Sequence, residues 1–570
     1  MRSIPPGDEV LARAEKLVGV ERIARGEKLA SRIANEACYL GYCFRSGMFA
    51  IESPQRLVRS VRAFIDYGML GAGPAVAAIR HADRPAVIDE RGSVTYRELD
   101  NRVNALATAW IDRGLKPGDG VAILTRNHRG FLEALFAAAR CGARVILLNT
   151  GFAGPQVSEV SAREGIDLVV YDEEFEASVS GLELRHGRFR AWTDTREGDD
   201  DTLAALIASA PARMPPKPAR APRVVILTSG TTGTPKGAGR DVPLSLSPIG
   251  GPMSKIPFHT GDTALISAPL FHAFGFTQGL MQVGLGATIV LQRRFAEEEV
   301  LASLDRHRVT TWVVVPVMLQ RVLALGPEHW QGRDLSRLRI IYVSGSQLGT
   351  DLSRRAHSAF GPVLYNLYGS TEIAYATIAT PADIVAAPGT VGRVVRGAVV
   401  RILGPDGEEL PGGKTGRIFV GHMLAFEGYT GGGDKERVRG LLSSGDVGHF
   451  DAEGRLFIDG RDDEMIISGG ENVFPREVEE LLHLHPAVLE AAAVGVPDAA
   501  FGQRLNAYVV PRPGAELTED LIKEYVRDNL ANYKVPRDVV FLDELPRNPT
   551  GKVLKRELVN HQYARADGRT

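Results

Sequence analysis

Cysteine is scarce in this chain. Only Cys38, Cys43 and Cys141 occur, with no CxxC pair and no His/Cys cluster at metal-ligand spacing. That argues against a disulfide framework and a zinc site, and it suits a reducing, cytoplasmic setting. Neither sign of charge dominates. Lys and Arg number 67 against 69 for Asp and Glu, so no global field selects a polyanionic partner such as nucleic acid. No uninterrupted apolar run reaches the ~18 residues of a membrane span, and the amino terminus has no basic stretch followed by an apolar core. The expectation is a soluble protein, at most peripheral at a membrane surface. Internal repeats of solenoid length are also missing. What is present is ordinary globular material, 44% hydrophobic and 24% charged, on 570 residues, too many for a single core.

From Ala86 onward, short β-branched runs alternate with helical patterns. Val121 to Leu124 precedes an amphipathic stretch after His128, and Arg144 to Asn149 follows. Further strand candidates stand at Val224 to Leu227, Thr288 to Leu291, Trp312 to Val315 and Ile340 to Val343. Such alternation predicts βαβ units around mostly parallel sheets. Proline-rich residues Ala210 to Arg223 predict an extended connector. Beyond Arg461 the pattern changes to a helix candidate, REVEELLHLH, and then the strand-like AVLEAAAVGV and AYVVPR. The fold class expected is therefore α/β: a large N-terminal domain with mostly parallel sheets over 76–461, and a smaller C-terminal α+β domain over 462–570. Residues 1–75 read as a helical extension. Within it Ser53 can cap a helix that has Pro54 at its first position. Leu57, Val58, Val61, Phe64 and Ile65 then share one face, and Arg56, Arg59 and Arg62 another. Packing of the apolar face on the large domain is the leading expectation, contact with a membrane surface the second.

The strongest local signal is Thr228-Ser229-Gly230-Thr231-Thr232-Gly233-Thr234-Pro235-Lys236-Gly237, directly after a hydrophobic strand. Its glycines let backbone amides approach phosphate oxygens, its hydroxyls donate further bonds, and Lys236 adds a cation. It departs from the Walker sequence, since Pro235 precedes the lysine and Gly237 follows it. Gly284-Leu285-Gly286 comes before a strand rather than after one, which discounts a dinucleotide fingerprint.

From about Val76 to Leu558 the chain resembles the acyl-adenylate-forming superfamily of acyl-coenzyme A synthetases, adenylation domains and luciferases, with several motifs in the family's order. The resemblance implies that Thr228, Ser229, Gly230, Thr231, Thr232 and Lys236 contact the triphosphate of ATP. In Tyr365-Asn366-Leu367-Tyr368-Gly369-Ser370-Thr371-Glu372 it implies Tyr368 and Gly369 at adenine, Thr371 at the α-phosphate and Glu372 on Mg²⁺. Gly345, Ser346 and Gln347 would flank adenine, Asp446 would accept from the ribose hydroxyls, and Arg461 would contact ribose or phosphate. Asp462 stands at the hinge between domains, which makes the C-terminal domain mobile. Gly469 and Gly470 resemble the wall of the pantetheine tunnel of enzymes using coenzyme A. Lys552, in Pro546-Arg547-Asn548-Pro549-Thr550-Gly551-Lys552, matches the catalytic lysine, and His272 stands beside the reacting carboxylate. After Gly237 this chain continues Ala238-Gly239-Arg240-Asp241, where many relatives have a short apolar stretch and a histidine. That departure leaves the phosphate loop intact.

The activity implied is a fatty acid–CoA ligase using ATP, Mg²⁺ and coenzyme A, closest to the medium- and long-chain branch. Three alternatives stay open: delivery to a carrier protein, an aromatic or short-chain acid, and a nucleotide-binding regulator without catalysis.

Overall fold

A computed structural model describes residues 29–194, 201–228, 236–239, 245–422, 428, 435–462, 464, 466–468, 471–498, 502–548 and 551–559. The described strands form four sheets. In the nine-stranded sheet, Leu364–Ser370, Ile340–Val343, Thr311–Val314, Thr263–Ile266, Thr288–Leu291 and Pro85–Asp89 run parallel side by side, with antiparallel strands only at its edges. The six-stranded sheet is parallel too, except for the hairpin of Arg223–Thr228 with Lys236–Gly239. Strands buried on both faces read as continuous apolar runs, as the wholly buried Gly120–Leu124 does.

One core joins these two sheets. Val87, Ile266 and Val313 of the first and Val121, Ile123 and Val145 of the second meet around Trp110, Phe131, Leu135 and Phe276, carried by helices Tyr96–Asp112, Arg129–Arg140 and Ala273–Leu285. The first of these helices starts where Thr95 and Glu98 complete a reciprocal capping box. The amphipathic stretch after His128 is buried on nearly every side, because it lies between the sheets. The strand expected at Trp312 to Val315 ends one residue early, since Pro316 pushes Val315 out of the ladder and opens helix Pro316–Ala324. Gly286, at φ 64°, ends helix Ala273–Leu285, so the Gly-Leu-Gly element is a helix stop.

An antiparallel five-stranded sheet, Ala398–Leu403 to Leu456–Arg461, follows, and then a second, separate five-stranded sheet around the long hairpin Val488–Asp498 and Gly502–Pro511. Helices Pro475–His483 and Glu519–Asn529 cover that last sheet through Val478, Leu482, Ile522 and Val526.

The N-terminal extension departs from its leading expectation. Helix Pro54–His81 is capped by Ser53, whose side chain accepts from the Arg56 amide, and it is kinked at Gly68. It buries Ala63 and Tyr67, while Leu57, Val58, Val61 and Ile65 stay exposed. Phe64 alone of the expected face is partly buried, and the fit is made by small residues together with Tyr67.

Candidate functional site

Between the large and small domains lies a cleft of about 1580 Å³. One wall of it is built on the turn between strands Leu364–Ser370 and Ala374–Ala379. Gly369 is required there, because a Cβ would meet the Ala374 carbonyl oxygen at 2.0 Å. Ala374 itself sits at φ 61°, a conformation that costs a non-glycine residue about 1–2 kcal/mol and that persists only where the surroundings enforce it. The Ser370 hydroxyl donates to Glu372 at 2.8 Å and accepts from the Glu372 amide, which fixes the carboxylate at the turn.

Tyr368 reaches across this turn and donates its hydroxyl to Asp446 Oδ2 at 2.6 Å. Arg461 Nη1 donates to the other carboxylate oxygen at 3.1 Å. Burial, followed by the Asp446 charge, holds the Tyr368 phenol well above its usual range, so it remains a donor. A carboxylate offers about four acceptor sites, and these two bonds leave room for two more donors. Asp462, the expected hinge, receives Arg417 Nε at 2.8 Å, and Arg417 also pairs with Glu436.

Three contacts close the small domain onto this wall. Gln347 donates to Glu480 of helix Pro475–His483 at 2.5 Å, so its amide is engaged across the cleft. Gln320 reaches the Leu489 carbonyl at 3.4 Å. Gly551, at φ 79°, packs so tightly that a Cβ would stand 2.1 Å from Val317 Cγ1. That approach brings Lys552 into the cleft with its backbone tied to Asn548. Lys555 is a cleft residue that sequence reasoning did not find. Burial opposes its charge, but Glu479 and Glu464 outweigh burial and hold the ammonium above its ordinary value.

Pro248, Pro252, Phe274, Gln278, Met281 and Tyr342 line the same cleft. His272 also lines the cleft, at the start of helix Ala273–Leu285, against Phe271 at 4.6 Å between ring centres. Its Nε2 has no hydrogen-bond partner among the described residues. Burial lowers its pKa from 6.5 to about 4, so the ring is neutral at physiological pH. Between those values the unfolded chain takes up a proton that the folded chain refuses, so this contribution to stability is lost as pH falls from 6.5 towards 4. Thermal melts at pH 7.5 and 5 should show a smaller acid-induced drop for His272→Gln than for the unmodified protein. Equal drops would contradict the assignment.

The expected residues His272, Gly345, Ser346, Gln347, Tyr368, Gly369, Thr371, Glu372, Asp446, Arg461 and Lys552 thus share one cleft. Thr228 and Lys236 are cross-strand partners at the end of the hairpin beside it. Ser229, Gly230, Thr231, Thr232, Gly469 and Gly470 lie outside the described residues. The wall of Pro248, Pro252, Gln278, Met281 and Tyr342 emerged only from the packing of two helices and a strand.

The family model described as AMP-binding enzyme matches residues 75–430, and that of the AMP-binding enzyme C-terminal domain matches 477–552. The chain belongs to the AMP-binding enzyme family. This AMP-binding enzyme is 34% identical over 503 residues to an indoleacetate–CoA ligase of Aromatoleum aromaticum, covering 86% of this chain and 95% of that protein. It is 32% identical over 495 residues to the fatty acid–[acyl-carrier-protein] ligase ScoC of Streptomyces coeruleorubidus, covering 83% and 92%. Among solved structures, ATP-bound MatB from Rhodopseudomonas palustris superposes with a TM-score of 0.75 at 27% identity, covering 84% of this chain and 96% of that one.

Proposed function

We propose that this AMP-binding enzyme is an acid–CoA ligase that activates a hydrophobic carboxylic acid through an acyl-adenylate. The observation that carries the reading is the joining of Tyr368, Asp446 and Arg461 by hydrogen bonds in the same cleft as Lys552. The substrate carboxylate attacks the α-phosphorus of ATP and pyrophosphate leaves; the coenzyme A thiol then attacks the acyl carbonyl and AMP leaves. A carboxylate is a weak nucleophile repelled by a triphosphate, so the first step depends on neutralised charge and in-line positioning. Lys552 places a cation there, Asp446 offers its remaining acceptor sites to ribose, Thr371 donates to the α-phosphate, and neutral His272 orients the acid without drawing it into an ion pair.

Among the described residues no group of three or more His, Cys, Asp or Glu is placed to hold a metal ion. That fits Mg²⁺, which is commonly held by one or two carboxylates together with substrate phosphates. Glu372 would hold it, and the ion would supply charge neutralisation at the phosphates.

We assign 1–75 to the extension, 76–461 to the large domain and 462–570 to the small one, with rotation about Asp462 exchanging Lys552 for Gly469 and Gly470 between the two half-reactions. The setting is cytoplasmic.

A fatty acid is the first reading of the substrate, supported by the apolar wall of Phe274, Met281, Pro248 and Pro252. A ring-bearing acid with a polar group is the second. Gln278 Oε1 and the Tyr342 hydroxyl are buried without hydrogen-bond partners among the described residues, and the indoleacetate ligase is among the relatives. Turnover of a panel from short to long fatty acids and of aromatic acids, with AMP and thioester both measured, separates the two. Pyrophosphate exchange with none of them would refute the ligase reading, and AMP without thioester would favour a carrier protein.

A further inference from the structure

The large apolar side chains that this protein exposes are not scattered. Of the fourteen exposed among the described residues, nine lie between Ile33 and Met69. The match to the family model begins only at residue 75, so this surface precedes the chemistry the family shares. Single exposed apolar residues are common on any protein, whereas a concentration of them marks an interaction site.

Their arrangement is ordered. At about 100° per residue, Leu57, Val61, Ile65 and Val58 fall within roughly a third of the circumference of helix Pro54–His81. Val58 is 66% and Ile65 62% exposed. The preceding helix Leu29–Ser46 exposes Ile33, Leu40 and Phe44 along one face. Between the two helices Ile51 is 99% exposed. Both helices are held firmly. Tyr67 donates its hydroxyl to the Pro215 carbonyl, Arg80 joins Glu52 at 2.9 Å and the Gly47 carbonyl at 3.0 Å, and Glu36 accepts the Leu246 amide at 3.0 Å. The exposed stripe therefore stands on a fixed support.

The charge beside it is positive. Arg62 and Arg59 border the stripe; Arg62 has only an exposed 3.4 Å pair with Asp66, and Arg59 makes no ion pair among the described residues. Of the acids nearby, Glu52 is occupied by Arg80 and Arg56, and Glu36 by Ser245 and Leu246. An apolar stripe bordered by exposed arginines, Arg59 without an ion pair among the described residues and Arg62 in a long, exposed one, is complementary to a headgroup layer with anionic phosphates above acyl chains. The helix Leu29–Ser46 also packs, through Tyr39 against Gly250, on the short helix Ser247–Met253, which supplies Pro248 and Pro252 to the cleft wall. No helix among the described residues is long and apolar enough to cross a membrane, so the geometry is that of a face laid on a surface.

We propose that residues 33–69 form a docking face for an anionic phospholipid surface, with the apolar stripe at the headgroup boundary and Arg59 and Arg62 on lipid phosphates. The test is flotation of the full chain with vesicles of phosphatidylcholine alone or mixed with phosphatidylglycerol. The protein should float with the anionic vesicles at low salt and release at high salt. Val58→Ser/Ile65→Ser should stay in the soluble fraction, and Arg59→Gln/Arg62→Gln should bind on the order of tenfold more weakly. Both variants change exposed residues, so melting temperature and AMP release with a water-soluble acid should be unchanged. Flotation is read without turnover and so is independent of which acid the enzyme uses. A chain that stays soluble with anionic vesicles at low salt, or variants that float like the parent, would overturn the proposal. So would light scattering that shows a dimer converted to monomer by Val58→Ser/Ile65→Ser, because a second copy would then own the face.

Discussion

Replacing Lys552 with alanine should reduce acyl-adenylate formation by roughly 10² to 10³, the usual loss when a group aimed at developing charge is removed. The expectation rests on the position of Lys552, which lines the same cleft as Glu372 and Asp446 although nearly two hundred residues of chain separate it from Glu372. Pyrophosphate exchange measures this step directly. Thioester formation from a supplied acyl-adenylate should survive, because rotation of the small domain would carry the lysine away before the thiol attacks. If folded Lys552→Ala protein loses both half-reactions equally, the rotation reading fails.

Gly551→Ala should give nearly the same result with the lysine still present. Its Cβ would stand 2.1 Å from Val317 Cγ1, and glycine's φ of 79° would also be strained for alanine. The docked position of Lys552 then shifts by a sizeable fraction of an ångström or more. A misplacement of about 1 Å costs on the order of 10² in rate. Adenylation should therefore fall by about that factor, while the supplied adenylate is still converted to thioester. Val317→Ala removes the clashing methyl group, so the double variant should recover part of the lost rate. Wild-type pyrophosphate exchange by Gly551→Ala would show that the approach of Gly551 to Val317 is not the productive one.

These two residues also show how far the sequence could be read. The glycine–lysine pair at 551 and 552 stood out because it closed an ordered series of family motifs, and its chemistry could be assigned from that order. Its contact with Val317 could not, because nothing in the local sequence specifies which surface of another domain a loop will meet. The same division runs through the site. Tyr368, Glu372, Asp446 and Arg461 are recognisable residue by residue, yet the hydrogen bonds that make Asp446 the meeting point of Tyr368 and Arg461 depend on strands brought together across 78 positions of chain. Gln278, Met281 and Tyr342 lay in unremarkable helical and strand patterns, and only the packing of their elements turned them towards one cavity.

The N-terminal helix makes the point from the other side. Ser53, Pro54 and the i, i+4 spacing of Leu57, Val61 and Ile65 were enough to specify a capped, amphipathic helix, because those preferences act within a turn or two of chain. They did not specify which face would be buried. Burial depends on close fit, and the body of the protein accepted the side of the helix that carries Ala63 and Tyr67, with Gly71 and Ala72 beyond the kink, rather than the aliphatic stripe. Periodicity and motif order, being local, thus establish the α/β class and the order of elements, and they single out the residues proposed here to hold the nucleotide. The closure of the small domain, the shape of the acid pocket and the exposure of the apolar stripe arise from contacts between distant segments, whose free energy depends on complementary surfaces that no short stretch of chain contains.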